Sequence, residues 1–436
     1  MTAPDPVRTS LGRLVAALLV SQTGFYVGVL VPLQLLLTLR LTSIAGDDAA
    51  SAFGIVTGFG ALVALVFNPV AGRISDLTTL RFGRRRTWIL TGALAGAVAL
   101  LALGSTTSVW QVVLLWCAVQ ALFNFQYAAS NALVADQVPT GRRGGVSGLI
   151  GMTIAVGPLG GLALVNGFEA GSALQWLAIA AVAALGGVLA VLLLHDTPAK
   201  RDKPTDGRGI LLRAFWISPR RHPAFGWAWL VRFLITCAYA SSTYHAFYLL
   251  QRFDVAEAEV GSTVLQLSLI TVVMLVGSSV VAGYLSDAIR RQKPFIVFAG
   301  VVAAAALVML AFAPSLPVVY LATGMLGVGT GAFFAIDLAM CVRVLPSDID
   351  AGRDLAIINI ANSLPQSVVP FVAPLLLAIG SYTALFGFLA ILGLLGAAAV
   401  LRVPEVGQEH DESGRTAPIT RHDAVGKAAH LGRIPA

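Results

Sequence analysis

Long apolar runs follow one another along almost the whole chain, at 14–39, 52–72, 87–107, 109–138, 145–167 and 173–195. After a charged break they resume at 223–250, 260–286, 295–313, 317–344, 354–379 and 382–402. A span needs about 20 such residues to cross roughly 30 Å of hydrocarbon. Only helices can do this with open ends, because unpaired backbone groups cannot face lipid. Twelve runs therefore predict an all-α membrane protein of twelve transmembrane helices. The composition agrees: 57% of residues are hydrophobic and 12% charged, where a soluble domain carries about 25% charged residues.

Charge sets the orientation. With both termini on one side, 26 of the 29 Lys and Arg fall in that side's segments, and only Arg40 and Arg252 in the opposite loops. Arg232 lies inside a run. Positive charge collects on the cytoplasmic side, so both termini are expected there, in a multi-pass protein of the cytoplasmic (inner) membrane. The net charge of +7 tracks these loops, so it points to lipid and potential rather than nucleic acid. Cys117, Cys237 and Cys341 all sit in apolar runs as small hydrophobes. Neither a metal site nor a cofactor is expected.

The chain also repeats itself. Ala71-Gly72-Arg73-Ile74-Ser75-Asp76 recurs as Ala282-Gly283-Tyr284-Leu285-Ser286-Asp287, again followed by basic residues including Arg290 and Arg291. Two six-helix, pseudo-symmetric halves follow, 1–195 and 223–403, joined by a polar cytoplasmic linker at 196–222. Residues 404–436 read as a disordered cytoplasmic tail.

On these residues the chain resembles the major facilitator superfamily, whose plan is two parallel six-helix halves. The loop Ser75-Asp76-x-Thr78-x-x-Arg81-x-Gly83-Arg84-Arg85-Arg86 is similar to that of the glycoside–pentoside–hexuronide and sucrose–proton symporter branch, as are Ala132-Leu-Val-Ala-Asp136 and Asn359-Ile-Ala-Asn362-Ser-Leu-Pro365-Gln366. Leu77 stands where arginine is usual, and Thr87 where proline often follows the basic triplet. The resemblance implies a gate at this loop, with Gly72, Asp76, Gly83, Arg84, Arg85, Asp136, Asp287 and Arg290 as its residues. It also implies that Asp76 faces a helix end of the other half, and Asp287 the converse.

Candidate solute contacts come from helical spacing. Gln120, Asn124, Tyr127 and Asn131 recur at i, i+4, i+7 and i+11, which puts them within about 60° on one face. Arg232, Thr236, Tyr239 and Thr243 repeat the pattern, and Gln22 and Tyr26 share a face of the first run. The resemblance places these stripes, with Asn359, Asn362 and Gln366, around a cavity. The bland alternative is interhelical hydrogen bonding, worth about 0.6 kcal/mol each. Arg232 and Asp337 weigh more, because an ionised group in the membrane costs roughly 2.5–3.5 kcal/mol. They are expected to pair across the seventh and tenth runs. Pairing favours a charged carboxyl and desolvation a neutral one, so Asp337 can carry a coupling proton.

No P-loop, Ser/His/Asp set or Cys/His spacing occurs, which excludes ATP-driven pumping and enzyme chemistry as readings. The expected activity is secondary transport of a small polar solute, a sugar or related compound, by alternating access with proton symport in a monomeric carrier. Gly157-Pro158-Leu159-Gly160-Gly161 approximates the mark of drug–proton antiporters, so efflux is the alternative. A receptor built on a transporter fold is the third.

Overall fold

A computed structural model describes residues 9–139, 142–196, 222–289, 291–343, 357–358, 360–362 and 364–403. The linker after Asp196, the tail, Arg290, Asn359 and the side chain of Asp287 lie outside that description. Among the described residues, ten helical stretches are long and apolar enough to cross a membrane. In two of these the backbone leaves right-handed helical geometry, which divides each into two spans. The stretch Leu11–Leu77 is interrupted at Gly46, whose φ is 53°. The final helix loses helical geometry at Gly380 and Ser381, where Ser381 has φ 59°.

The first stretch comprises α1 (Leu11–Val31), a π-turn (Pro32–Leu36), α2 (Leu37–Ala45) and α3 (Ala49–Leu77). Pro32 opens the π-turn; it has no N–H to give the ladder, and a wide turn absorbs the defect. Next come α4 (Arg84–Leu103), α5 (Val109–Gln137), α6 (Arg143–Val165) and α7 (Ala173–Leu193). The second half holds α8 (Pro223–Tyr239), α9 (His245–Arg252), α10 (Glu257–Ile289), α11 (Lys293–Ala311), α12 (Leu316–Arg343) and α13 (Pro365–Ala399). Between α8 and α9 a 3₁₀ segment runs Ala240–Tyr244. Its Ser242 and Thr243 hydroxyls donate back to the carbonyls of Tyr239 and Ala240, which competes with the α-ladder.

Each half packs mainly on itself, α1 with α7, α3 and α4 with α5, α10 and α11 with α12. Small residues allow this. A Cβ on Gly92 would meet the Leu122 carbonyl at 2.7 Å, and one on Gly96 would meet the Phe123 ring at 2.7 Å. The halves touch chiefly through α3 on α13 and α6 on α10. Those contacts lie away from the basic loops. Phe53 meets Tyr244 and Phe247 edge-on at 5.4 and 5.1 Å, and Ser268 donates to Gln34 Oε1 at 3.5 Å. Toward the basic loops several glycines have open space around them. Cβ positions built on Gly144, Gly145, Gly148 and Gly151 of α6, and on Gly277 and Gly283 of α10, meet nothing within 4 Å.

Candidate functional site

On the basic-loop side, a cavity of about 410 Å³ opens between α1, α5 and α6. Gln22, Tyr26, Tyr127 and Asn131 line it, with Arg143 and Ser147 at its α6 wall. The helical register explains the assembly. Gln22 and Tyr26 sit one turn apart on α1, and Tyr127 and Asn131 one turn apart on the facing α5. Gln22 Nε2 donates to Asn131 Oδ1 at 2.8 Å. Its Oε1 is buried and has no partner. The Tyr127 ring stacks on Phe25 at 4.6 Å and meets Tyr26 edge-on at 6.3 Å. Below this layer, Ser21 and Ser130 hydroxyls bond at 2.8 Å, and Gln126 donates to the Ser21 carbonyl. That network fixes α1 against α5, and so fixes the wall that carries Gln22 and Asn131.

The other expected contact residues are not in this cavity. Asn124 donates to the Gln120 carbonyl one turn back, and both are buried in α5. Tyr239 reaches the Ala299 carbonyl of α11 at 3.4 Å, inside the second half. Gln366 is exposed. Asn362 keeps a buried, unpartnered Oδ1, and Asn359 lies outside the described residues.

Arg232 and Asp337 do meet. Arg232 Nη1 lies 2.9 Å from Asp337 Oδ2, and Asp337 is 1% exposed. The Cys341 thiol donates to Asp337 Oδ1 at 3.6 Å. Arg232 Nε has no partner. A buried pair of this kind is costly to desolvate, and costlier to break from one side.

The loop between α3 and α4 is tied by Arg85, which is only 4% exposed. Its guanidinium bonds Asp76 at 2.6 Å, Asp136 at 2.9 Å and the Ser75 hydroxyl at 3.0 Å. Arg84 adds a second bond to Asp136 at 2.8 Å. Asp76 is thus bonded within its own half; residues 344–356, which lead to the helix end expected opposite it, lie outside the described residues. Gly83 precedes α4 with φ 116°, a conformation that other residues adopt only with strain. Gly72 has open space around it. Asp196 Oδ2 accepts from the N–H groups of Arg85 and Arg86 at 2.5 and 3.2 Å. This caps the positive end of α4 with a carboxylate. No spacing in the sequence joins Asp196 to a loop about a hundred residues away. In the Gly157–Gly161 stretch of α6, Gly161 acts in packing, since a Cβ there would meet Val27 of α1 at 3.1 Å, whereas Gly160 has open space around it.

The family described as Major Facilitator Superfamily matches residues 13–349 and 248–432. The "MFS antiporter QDR1" of Candida albicans is 28% identical over 203 residues, 45% of this chain and 38% of that protein. "Multidrug resistance protein MdtG" of Dickeya zeae is 34% identical over 122 residues, 28% of each chain. These alignments therefore span well under half of either relative. The solved nucleoside transporter NupG superposes with TM-score 0.70 over 89% of this chain and 98% of its own, at 14% identity. A D-xylose–proton symporter gives 0.64 over 90% and 98%, at 16% identity. A bacterial homologue of the lysosomal transporter Spinster, inward-facing and unoccupied, gives 0.64 over 91% and 99%, at 14% identity. Such likenesses bear on fold. With the helical halves and the matched residues together, the chain belongs to the Major Facilitator Superfamily of membrane transporters.

Proposed function

We propose that the protein is a secondary transporter that moves a small polar solute, a sugar or related compound, by alternating access with proton symport. The observation that carries this reading is the convergence of Gln22, Tyr26, Tyr127 and Asn131 on one cavity of about 410 Å³. Amides and phenols beside aromatic faces suit a polyhydroxylated solute, and the volume lies in the range of small-molecule sites. Counting each broken stretch as two spans gives twelve, with both termini cytoplasmic by the charge bias. Contacts far from the basic loops and open space near them then describe an inward-facing state of a protein in the cytoplasmic membrane. The buried Arg232–Asp337 pair supplies the proton site, and Asp76, Arg85 and Asp136 the gate. The Arg81-x-Gly83-Arg84-Arg85-Arg86 spacing supports the symporter branch, and one copy of the chain holds a complete cavity.

A second reading is proton-coupled efflux of a drug-like or metabolic compound. It is favoured by the names of the relatives, an antiporter and a multidrug resistance protein, and by the Phe25–Tyr26–Tyr127 aromatic group. Uptake into proteoliposomes with internal pH recorded separates the readings. Symport gives solute-dependent proton movement in the solute's direction, and antiport gives movement against it. No flux of any solute would leave the receptor reading.

A further inference from the structure

Resting on the reading of this cavity as the solute site, we infer that Arg143 makes it selective against positively charged solutes. The ligand class it takes is a hydrogen-bond donor of zero or negative charge.

Among the described residues, Arg143 is the only charged one that lines the cavity. It is held there by backbone. Its Nε donates to the Val138 carbonyl at 3.1 Å and its Nη2 to the Ala135 carbonyl at 2.9 Å, at the end of α5. Carbonyl ends carry only about half a charge, so they orient the guanidinium without neutralising it. Among the described residues no carboxylate pairs with it. Asp136, the nearest acid in sequence to the lining, is occupied by Arg84 and Arg85. Arg143 also begins α6, and the first N–H groups of a helix add potential of the same sign. Inside the cavity, Gln22 is 1% exposed, its Nε2 is taken by Asn131, and its Oε1 waits for a donor. An acceptor buried without a partner costs stability until one arrives.

The tyrosine faces pull the other way, because aromatic rings attract cations. Arg143 overrides that attraction, and its removal converts the cavity from one that rejects cations to one that admits them. Neither relative's name says anything of solute charge, so this selectivity is independent of whether the carrier imports or exports.

The test measures the cavity's potential directly. Ser147, on the same wall one turn from Arg143, is replaced by Cys in the full chain in proteoliposomes, with the unsubstituted protein as blank for the native thiols. The rates of modification by sulfonatoethyl and trimethylammonioethyl methanethiosulfonates are compared. The anionic reagent should be favoured, and Arg143→Gln should shift the ratio toward the cation by at least about fivefold, the effect of one charge at short range in a wet site. Arg143→Lys keeps the charge and should keep the ratio, which separates electrostatics from damage to the α5–α6 corner. A ratio that does not favour the anion, or one that Arg143→Gln leaves unchanged, overturns the inference. Gln22→Leu reports on the binding-site reading alone: it should raise the KM for the solute about tenfold and leave the reagent ratio intact.

Discussion

At the residue scale, three side chains hold positions that ordinary packing would not choose. Gln22 is buried with one amide atom unpaired. Gln22→Leu should raise the KM for the transported solute by about tenfold, the value of one hydrogen bond near 1.4 kcal/mol, without loss of folded protein. Radiolabelled uptake beside a thermal melt checks both halves of that statement. Asp337 and Arg232 form a buried pair 2.9 Å apart. Arg232→Gln alone strands a buried carboxylate and should cost about 3–5 kcal/mol, whereas Arg232→Gln with Asp337→Asn should recover most of it. Denaturation of the single and double variants reads this directly. Gly83 sits at φ 116° with Asp196 beside it; Gly83→Ala should lower stability by more than about 1 kcal/mol. The Arg232–Asp337 pair was legible from two ionised residues inside apolar runs, and spacing gave the shared faces of Gln22 with Tyr26 and of Tyr127 with Asn131, but not the Gln22–Asn131 bond that joins them. Gln120 and Asn124 carry the same spacing, yet Asn124 satisfies itself on its own helix, and no periodicity distinguishes the two cases. Asp196 and Arg143 were illegible because their partners are backbone groups brought near by the fold.

At the element scale, breaks fall where a rigid rod would obstruct packing or motion. The π-turn at Pro32, the 3₁₀ segment before His245 and the kink at Gly380 are each written in proline, hydroxyl residues or glycine. The apolar runs read continuously through the first two, at 14–39 and 223–250, whereas the break between the runs 354–379 and 382–402 falls on Gly380 and Ser381. The α3–α13 contact is made by glycines: Gly54 lies against Pro370 and Pro374, and Gly58 against Phe371. Gly54→Leu should prevent the far side from closing and favour the outward-open state, seen as greater labelling of a thiol placed at Thr57. On the opposite side Asp76, half-exposed, holds Arg85. Arg85 is buried and Asp76 half-exposed, so water reaches the carboxylate side of the pair, and the proposed gate requires that side to rearrange on every cycle. Asp76→Asn should bias the protein toward inward-open and slow turnover while binding persists; normal turnover would reduce the loop to an anchor of topology.

At the scale of the whole molecule, the helices before and after the linker pack mainly among themselves and touch chiefly through α3 on α13 and α6 on α10. The repeat of Ala71–Asp76 at Ala282–Asp287 made that plan visible in the sequence. Which end is closed was not visible, because it depends on contacts between residues with no shared pattern. The cavity and the ion pair lie in different halves, so the proposed symport requires solute and proton to be linked through the motion of one half on the other. The most direct measurement is transport by the paired variant Arg232→Gln/Asp337→Asn in proteoliposomes, with proton-driven accumulation and solute exchange recorded on the same preparation. We predict that accumulation is lost while exchange continues at a rate comparable to the native protein. Accumulation that survives in this variant would contradict the coupling role and reduce the pair to a structural one.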